Sequence, residues 1–270
     1  MKFKDILVHL DSSPQSMNRL DLAIRIAKEH GARLTGLYVV VHQQYKPEKE
    51  YLAQRIADIE KTFLEKTAGE GVESCWICAD WPVVGLSVVE VVNYYAHSRD
   101  LVIVGQATRD QTKSSVPLDL AERVILGAGR PVLVVPYAGS FTSVGGRVIV
   151  AWRPGRASAR AVNDAMPFLA AAREVCLLEI RPPDGQGVVD GFTPKADIVG
   201  NLRCHGIKVT EEHLVTGNIT VANILMNYAW ENGCDLIVMG ASTSGKGAAS
   251  LGAVANQMLE LMTIPVLMAH

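Results

Sequence analysis

What this sequence lacks first is an excess of charge of one sign. Its 26 Lys and Arg face 28 Asp and Glu, a formal net charge of -2. Nucleic acid and anionic membrane surfaces both require a basic face, so neither is expected as a partner. Long apolar runs are missing too. Those present are strand-sized, well short of the ~20 residues that span a bilayer. The opening Met1-Lys-Phe-Lys-Asp runs straight into a strand pattern, so no signal peptide is expected. Cysteine is scarce and odd in number, five in 270 residues. That makes no disulfide framework, and a reduced cytoplasm is the expected location. Paired carboxylates and a His-Glu-x-x-His pattern are also absent. His9 lies in a strand, His205 precedes a turn, and His213 and His270 stand alone, so core or turn roles are expected for them. No residue is nominated as catalytic, no metal ligand set emerges, and no cofactor is required. Non-enzymatic function is the favoured reading.

What is there is core. Apolar residues make up 49% and charged residues 20%, the composition of a folded globular chain, and the length suits two ordinary domains. Asp5-Ile-Leu-Val-His-Leu-Asp11 reads as a buried strand. Ser12-Ser13-Pro14 then supplies a hydroxyl cap and an early proline for a helix. That helix carries Leu20, Ala23, Ile24 and Ala27 on one face and stops at Gly31. Further strands are predicted over 34–41, 72–79, 101–105 and 131–136. Helices are predicted over a segment with Leu52, Ile56, Ile59 and Phe63 on one face, over 84–97 and over 121–126. The alternation βαβαβαβαβ, with strands apolar on both faces, predicts a parallel sheet covered by helices on both sides.

After a small-residue linker at 138–146 the pattern begins again. Arg147-Val-Ile-Val-Ala-Trp152 matches Asp5-Ile-Leu-Val-His-Leu10, and Ser158-Ala-Arg-Ala-Val matches Ser16-Met-Asn-Arg-Leu. Cys234-Asp-Leu-Ile-Val-Met-Gly240 matches Arg99-Asp-Leu-Val-Ile-Val-Gly105, and Pro265-Val-Leu-Met-Ala matches Pro131-Val-Leu-Val-Val. Two copies of one α/β domain are expected, over 1–137 and 147–270.

Two local motifs invite chemistry. Cys75-Trp-Ile-Cys78 is a C-x-x-C, but both thiols fall in a predicted strand and point to opposite faces, so structural thiols are expected. Gly240 to Lys246 spells G-x4-G-K, most of a P-loop. Gly247 then stands where Ser or Thr should hold magnesium, and no strand nearby ends in a Walker B Asp.

The strand ending in Asp11, the "DLIVMG" strand, the Gly-rich loop and the closing "RPVLVVP" and "IPVLMAH" strands, in that order and twice over, resemble the universal stress protein family, in its tandem two-domain bacterial form. The resemblance covers nearly the whole chain. It implies two adenine-nucleotide alpha-hydrolase-like (Rossmann-like) domains, each a five-stranded parallel sheet of order 3-2-1-4-5. It also implies that the closing strands' edges pair in an intramolecular pseudo-dimer, with a homodimer of the whole chain left open.

ATP-binding members carry an Asp after the first strand and a G-x-x-G-x9-G-[ST] loop after the fourth. In the first repeat Asp11 and Gly105 match. Thr108 replaces the second Gly, and Leu118-Asp119 stand where Gly-Ser would hold phosphate. Leu adds a Cβ where backbone must meet phosphate. Asp119 adds a like charge, a repulsion of about 1–4 kcal/mol near 4 Å. This site is expected to be degenerate, with Asp119 serving as a helix N-cap. In the second repeat Gly240, Thr243, Gly245, Lys246, Gly252 and Ala253 form a pliable loop that could hold an anion, with Arg153 in place of the Asp. The expected function is stress-linked ligand sensing or protein interaction, through an unidentified small ligand or protein partner. The alternatives are an ATP-binding switch, with slow hydrolysis, using the second repeat, and a purely structural interaction protein.

Overall fold

A computed structural model describes residues 1–40, 49–80, 87–107, 116–181, 197–243 and 250–270. The chain divides into two units, Lys2–Thr142 and Ser143–His270. The first contains β1 (Asp5–Leu10), α1 (Gln15–His30), β2 (Arg33–Val39), α2 (Lys49–Gly69) and β3 (Ser74–Ala79). It continues through α3 (Val88–Ala96), β4 (Leu101–Gly105), α4 (Leu120–Gly127) and β5 (Val132–Val135). All pairings are parallel and the strand order is 3-2-1-4-5.

The second unit contains β6 (Arg147–Trp152), α5 (Arg156–Asp164), α6 (Met166–Leu169), β7 (Glu174–Arg181), α7 (Ile198–Cys204) and β8 (Val209–Val215). It ends with α8 (Val221–Glu231), β9 (Leu236–Gly240), α9 (Ala253–Leu261) and β10 (Val266–Ala269). Its order, 8-7-6-9-10, is the same topology again, all parallel. The fold class read from the sequence is the fold found.

The central strands explain their composition. Ile6, Leu7, Val8 and Leu10 of β1 and Leu101 to Val104 of β4 have no exposed surface, as strands covered on both faces require. On α1 the stripe Leu20, Ala23, Ile24 and Ala27 is buried, and Gly31 ends the helix in the left-handed region at φ 60°. The start of α1 differs from expectation. Pro14 takes the N-cap position and no side chain caps the helix. Ser12 Oγ instead hydrogen-bonds Tyr38 Oη at 2.8 Å. The Asp11 carboxylate, not a serine, accepts the Ser13 N–H at 2.6 Å. A carboxylate is the stronger acceptor for an amide at a helix start. Helix α3 begins at Val88 under a Ser87–Glu90 capping box; the expected start at Val84 lies outside the described residues. Cys75 and Cys78 are in β3, exposed, and all five cysteines are free. Among the described residues no helix is long and apolar enough to cross a membrane.

One device recurs in both units. Asp100, just before β4, accepts the backbone N–H groups of Lys4 (2.7 Å) and Asp5 (3.1 Å) at the start of β1. Asp235, just before β9, likewise accepts from Gly146 (3.2 Å) and Arg147 (2.9 Å), and from Ser143 Oγ (2.9 Å). These carboxylates are the Asp of the repeated Asp-Leu motif. They pin the entry of each unit's first strand to the entry of its fourth and so help to set the register of that pair. Asp235→Ala should therefore lower stability by about 1–3 kcal/mol, because partly buried amides lose a charged acceptor. Urea denaturation would show it as a lower midpoint at unchanged m, with Asp235→Asn recovering part of the loss. An unshifted midpoint would contradict the role.

Candidate functional site

In a 3-2-1-4-5 sheet the connections leaving β1 and β4 turn to opposite faces. A crevice opens between the carboxyl ends of those strands, where such folds bind ligands. In the first unit it is lined by His9 and Asp11 from the end of β1, Arg19 from α1, Gly105 and Gln106 from the end of β4, and Leu118 and Tyr137 at its rim. Leu118 is exposed. Gln106 fixes the far wall: its N–H donates to the Val135 carbonyl at 2.8 Å, and its Oε1 accepts the Tyr137 N–H at 3.0 Å.

The crevice is organised by a cation that sequence reasoning missed. Arg19 is buried, with 4% of its side chain exposed. Its Nε donates to the His9 carbonyl at 2.7 Å and one Nη to Asp11 Oδ2 at 2.6 Å, with Ser16 Oγ at 3.4 Å. Ser16 Oγ in turn accepts the Asp11 N–H at 3.0 Å. The guanidinium lies on Gly105. A Cβ at that glycine would come within 2.0 Å of Arg19 Nη1, so only glycine leaves room for the arginine. A signal was available in the sequence: Arg19 lies four residues before Ala23 and eight before Ala27, on the buried stripe of α1, where a charge needs a partner.

Burial on its own would push the Asp11 carboxyl up. The Arg19 guanidinium, with help from His9 and the Ser13 hydrogen bonds, outweighs it and holds the group at about 2. His9 is 2% exposed, and among the described residues its Nδ1 has no hydrogen-bond partner. Burial, partly opposed by Asp11 and reinforced by Arg19, lowers its pKa to about 4, so the ring is neutral near pH 7. A neutral imidazole beside a fully engaged carboxylate makes no nucleophile–base pair. Among the described residues no cluster of His, Cys, Asp and Glu could hold a metal ion.

Asp119 takes the N-cap position of α4 but its side chain makes no capping bond. Its carboxylate lies 3.8 Å from Arg123 instead. The expected cap is thus corrected to an exposed i,i+4 ion pair, which the backbone angles at Asp119, φ -91° and ψ 8°, allow. Thr108 lies outside the described residues.

The second unit treats the equivalent crevice differently. Gly240 ends β9 as Gly105 ends β4, but here the backbone of α5 lies on it. A Cβ at Gly240 would meet Ser158 N at 2.4 Å and the Ala157 carbonyl carbon at 2.5 Å. By the repeat alignment Ala161, buried, stands where the first unit has Arg19. With no long side chain beneath it, the helix settles onto the strand. Beyond Gly240 the chain doubles back: Thr243 pairs with Leu251 in an antiparallel bridge, and the Gly252 N–H donates to the Ser242 carbonyl at 2.7 Å. Gly252 is the N-cap of α9 and Ala253 its first residue. Arg153 is exposed on the turn after β6. Gly245 and Lys246 lie outside the described residues.

Comparison with known proteins agrees with this doubling. The model of the Universal stress protein family matches residues 2–136 and again 147–270. A universal stress protein from Archaeoglobus fulgidus DSM 4304 is 16% identical, with a TM-score of 0.70 over 98% of this chain and 95% of its own. A functionally unknown protein from Pseudomonas aeruginosa PAO1 is also 16% identical, with a TM-score of 0.58 over 99% and 92%. A universal stress protein from Archaeoglobus fulgidus, solved in complex with dAMP, is 17% identical, with a TM-score of 0.37 over 50% of this chain and 98% of its own. At 16% identity the first two likenesses speak to the fold alone. No curated protein matches the chain.

The two depressed pKa values set a pH dependence. The unfolded chain takes up protons at His9 and Asp11 before the folded chain does, so stability falls with pH in two windows. The His9 contribution is complete above about 6.5 and is lost as pH falls to about 4; that of Asp11 is lost between about 3.8 and 2. The His9 step amounts to at most about 3 kcal/mol. Urea midpoints measured from pH 7 to pH 4 should decline in the wild type and less steeply in His9→Leu. His30, lowered to about 4 by burial and by the charges of Lys2 and the N-terminus, keeps a residual slope in that variant. Equal slopes in both proteins would contradict the assignment.

Proposed function

The chain belongs to the universal stress protein family, and on that premise we propose that it is a stress-linked module that senses a small ligand or binds a protein partner without side-chain catalysis. The observation that carries this reading is the buried Arg19–Asp11 pair lying on Gly105. The carboxylate and the bare backbone that a nucleoside and its phosphate would approach are held by the chain's own guanidinium. An adenine nucleotide is the ligand to test, since a single-domain relative was solved with dAMP.

An ATP-binding switch in the second repeat is the less favoured reading. It needs the surface above Gly240, which the Ala157 and Ser158 backbone covers. The hydroxyl that would serve phosphate at the end of the loop is replaced by Ala253. Five free cysteines are in keeping with a reducing compartment such as the cytoplasm.

Isothermal titration with ATP and magnesium tests the proposal. The expected result is no saturable heat, and no thermal shift, at about 1 mM nucleotide, which bounds any binding at less than about 4 kcal/mol. Saturable binding in the micromolar range would overturn the reading of an occluded crevice in favour of an ATP-binding switch.

A further inference from the structure

We propose that Arg19 is an internal gate of the first repeat's crevice, a side chain standing where a bound mononucleotide would lie, and that removing its head opens the site. This rests on the reading above and names the residue responsible for it. Three surfaces that a guest would use converge at this point, and one side chain takes all three. Arg19 Nε holds the His9 carbonyl, one Nη holds Asp11 Oδ2, and Nη1 lies on the Gly105 backbone. The guanidinium thus bridges the ends of β1 and β4 across the switch point.

Two further observations distinguish a gate from a purely structural arginine. Among the described residues Nη1 makes no hydrogen bond, so the group nearest Gly105 is the one not needed to tie α1 to the sheet. His9, which also lines the crevice, keeps a wholly buried Nδ1 without a partner. A polar valence left open in a buried wall marks a place where the chain does not satisfy its own polar groups. The second repeat supplies the contrast. The obstacle above Gly240 is backbone from Ala157 and Ser158, which no single side-chain change can remove. The first repeat's glycine is therefore covered by a side chain that a substitution can shorten, and the second's by main chain that it cannot.

Arg19→Gln is the variant of choice. The glutamine amide nitrogen falls where Nε lies, so the bond to the His9 carbonyl can persist while both Nη groups are gone. The wild type, Arg19→Gln and Arg19→Ala are titrated with AMP by calorimetry, with circular dichroism confirming the fold. The expected result is little or no binding to the wild type and an affinity at least about tenfold higher in Arg19→Gln. A folded Arg19→Gln that binds no better than wild type, with the wild type silent, overturns the gate and leaves the proposed function standing. A wild type that itself binds AMP in the micromolar range overturns both. A measurement on the wild type stands whether or not the variants fold. In nitrogen-15 NMR, Arg19 Nε–H should give a resolved, exchange-protected signal that AMP leaves unchanged. A rapidly exchanging Arg19 Nε–H would show that the side chain does not hold the crevice, and would overturn the proposal.

Discussion

A parallel sheet whose order reverses at β1 and β4 must leave a gap between the carboxyl ends of those strands, and the gap must be filled or solvated. This constraint decides the rest of the site. In the first repeat a guanidinium fills it, which requires glycine at 105, a carboxylate at 11 to balance the charge, and a serine at 16 to complete the hydrogen bonds. None of these residues is separable from the others. A buried arginine without Asp11 would be an uncompensated charge, costing about 3–5 kcal/mol. Any residue larger than glycine at 105 would displace it. The network is thus one object, its four residues contributed by the turn after β1, by α1 and by β4.

The second repeat meets the same constraint with a different material. Alanine at 157 and 161 makes the early part of α5 thin, and the helix backbone itself descends onto Gly240. The glycine is required in both repeats for the same geometric reason, close approach, but it admits a side chain in one and main chain in the other. The loss of an aspartate after β6 follows naturally. With no guanidinium to balance, the position is free to be Arg153, exposed to solvent.

The architecture was legible in the sequence because it rests on local patterns. Apolar runs of strand length, helical stripes and the repeated Asp-Leu and Pro-Val motifs determine element order, and the family resemblance supplied the sheet order. The site was only partly legible. Asp11 and Gly105 were singled out, and both lie in the crevice. Arg19 was passed over, although it was aligned with Ala161, because reading α1 as an amphipathic helix directs attention to its apolar residues and treats arginine as solvent-facing. Whether a charge on the buried stripe finds a partner depends on where Asp11 points, which is tertiary information. Likewise the packing of α5 on Gly240 cannot be read from spacing, since it depends on how deeply a helix of small residues sinks toward a strand. The caps were misread for a related reason. Ser12 and Asp119 have capping side chains, but each has a competing partner: Tyr38, brought near only by the fold, and Arg123, one helical turn further along the chain.

The aspartate pins also order events in time. Asp100 reaches back 96 residues to Lys4, and Asp235 reaches back 89 to Gly146. Each unit's central strand pair therefore stays unlocked until well over half of that unit has been made, the kind of distant closure that slows folding. Both pins act within their own repeat. On the ribosome the first can close while the second repeat is still being synthesised. The 135 residues between Asp100 and Asp235 (235 − 100) separate the two closures by on the order of ten seconds at ordinary elongation rates. The doubled sequence is thereby translated into two successive folding events, so that two nearly alike sets of strands do not have to sort themselves at once.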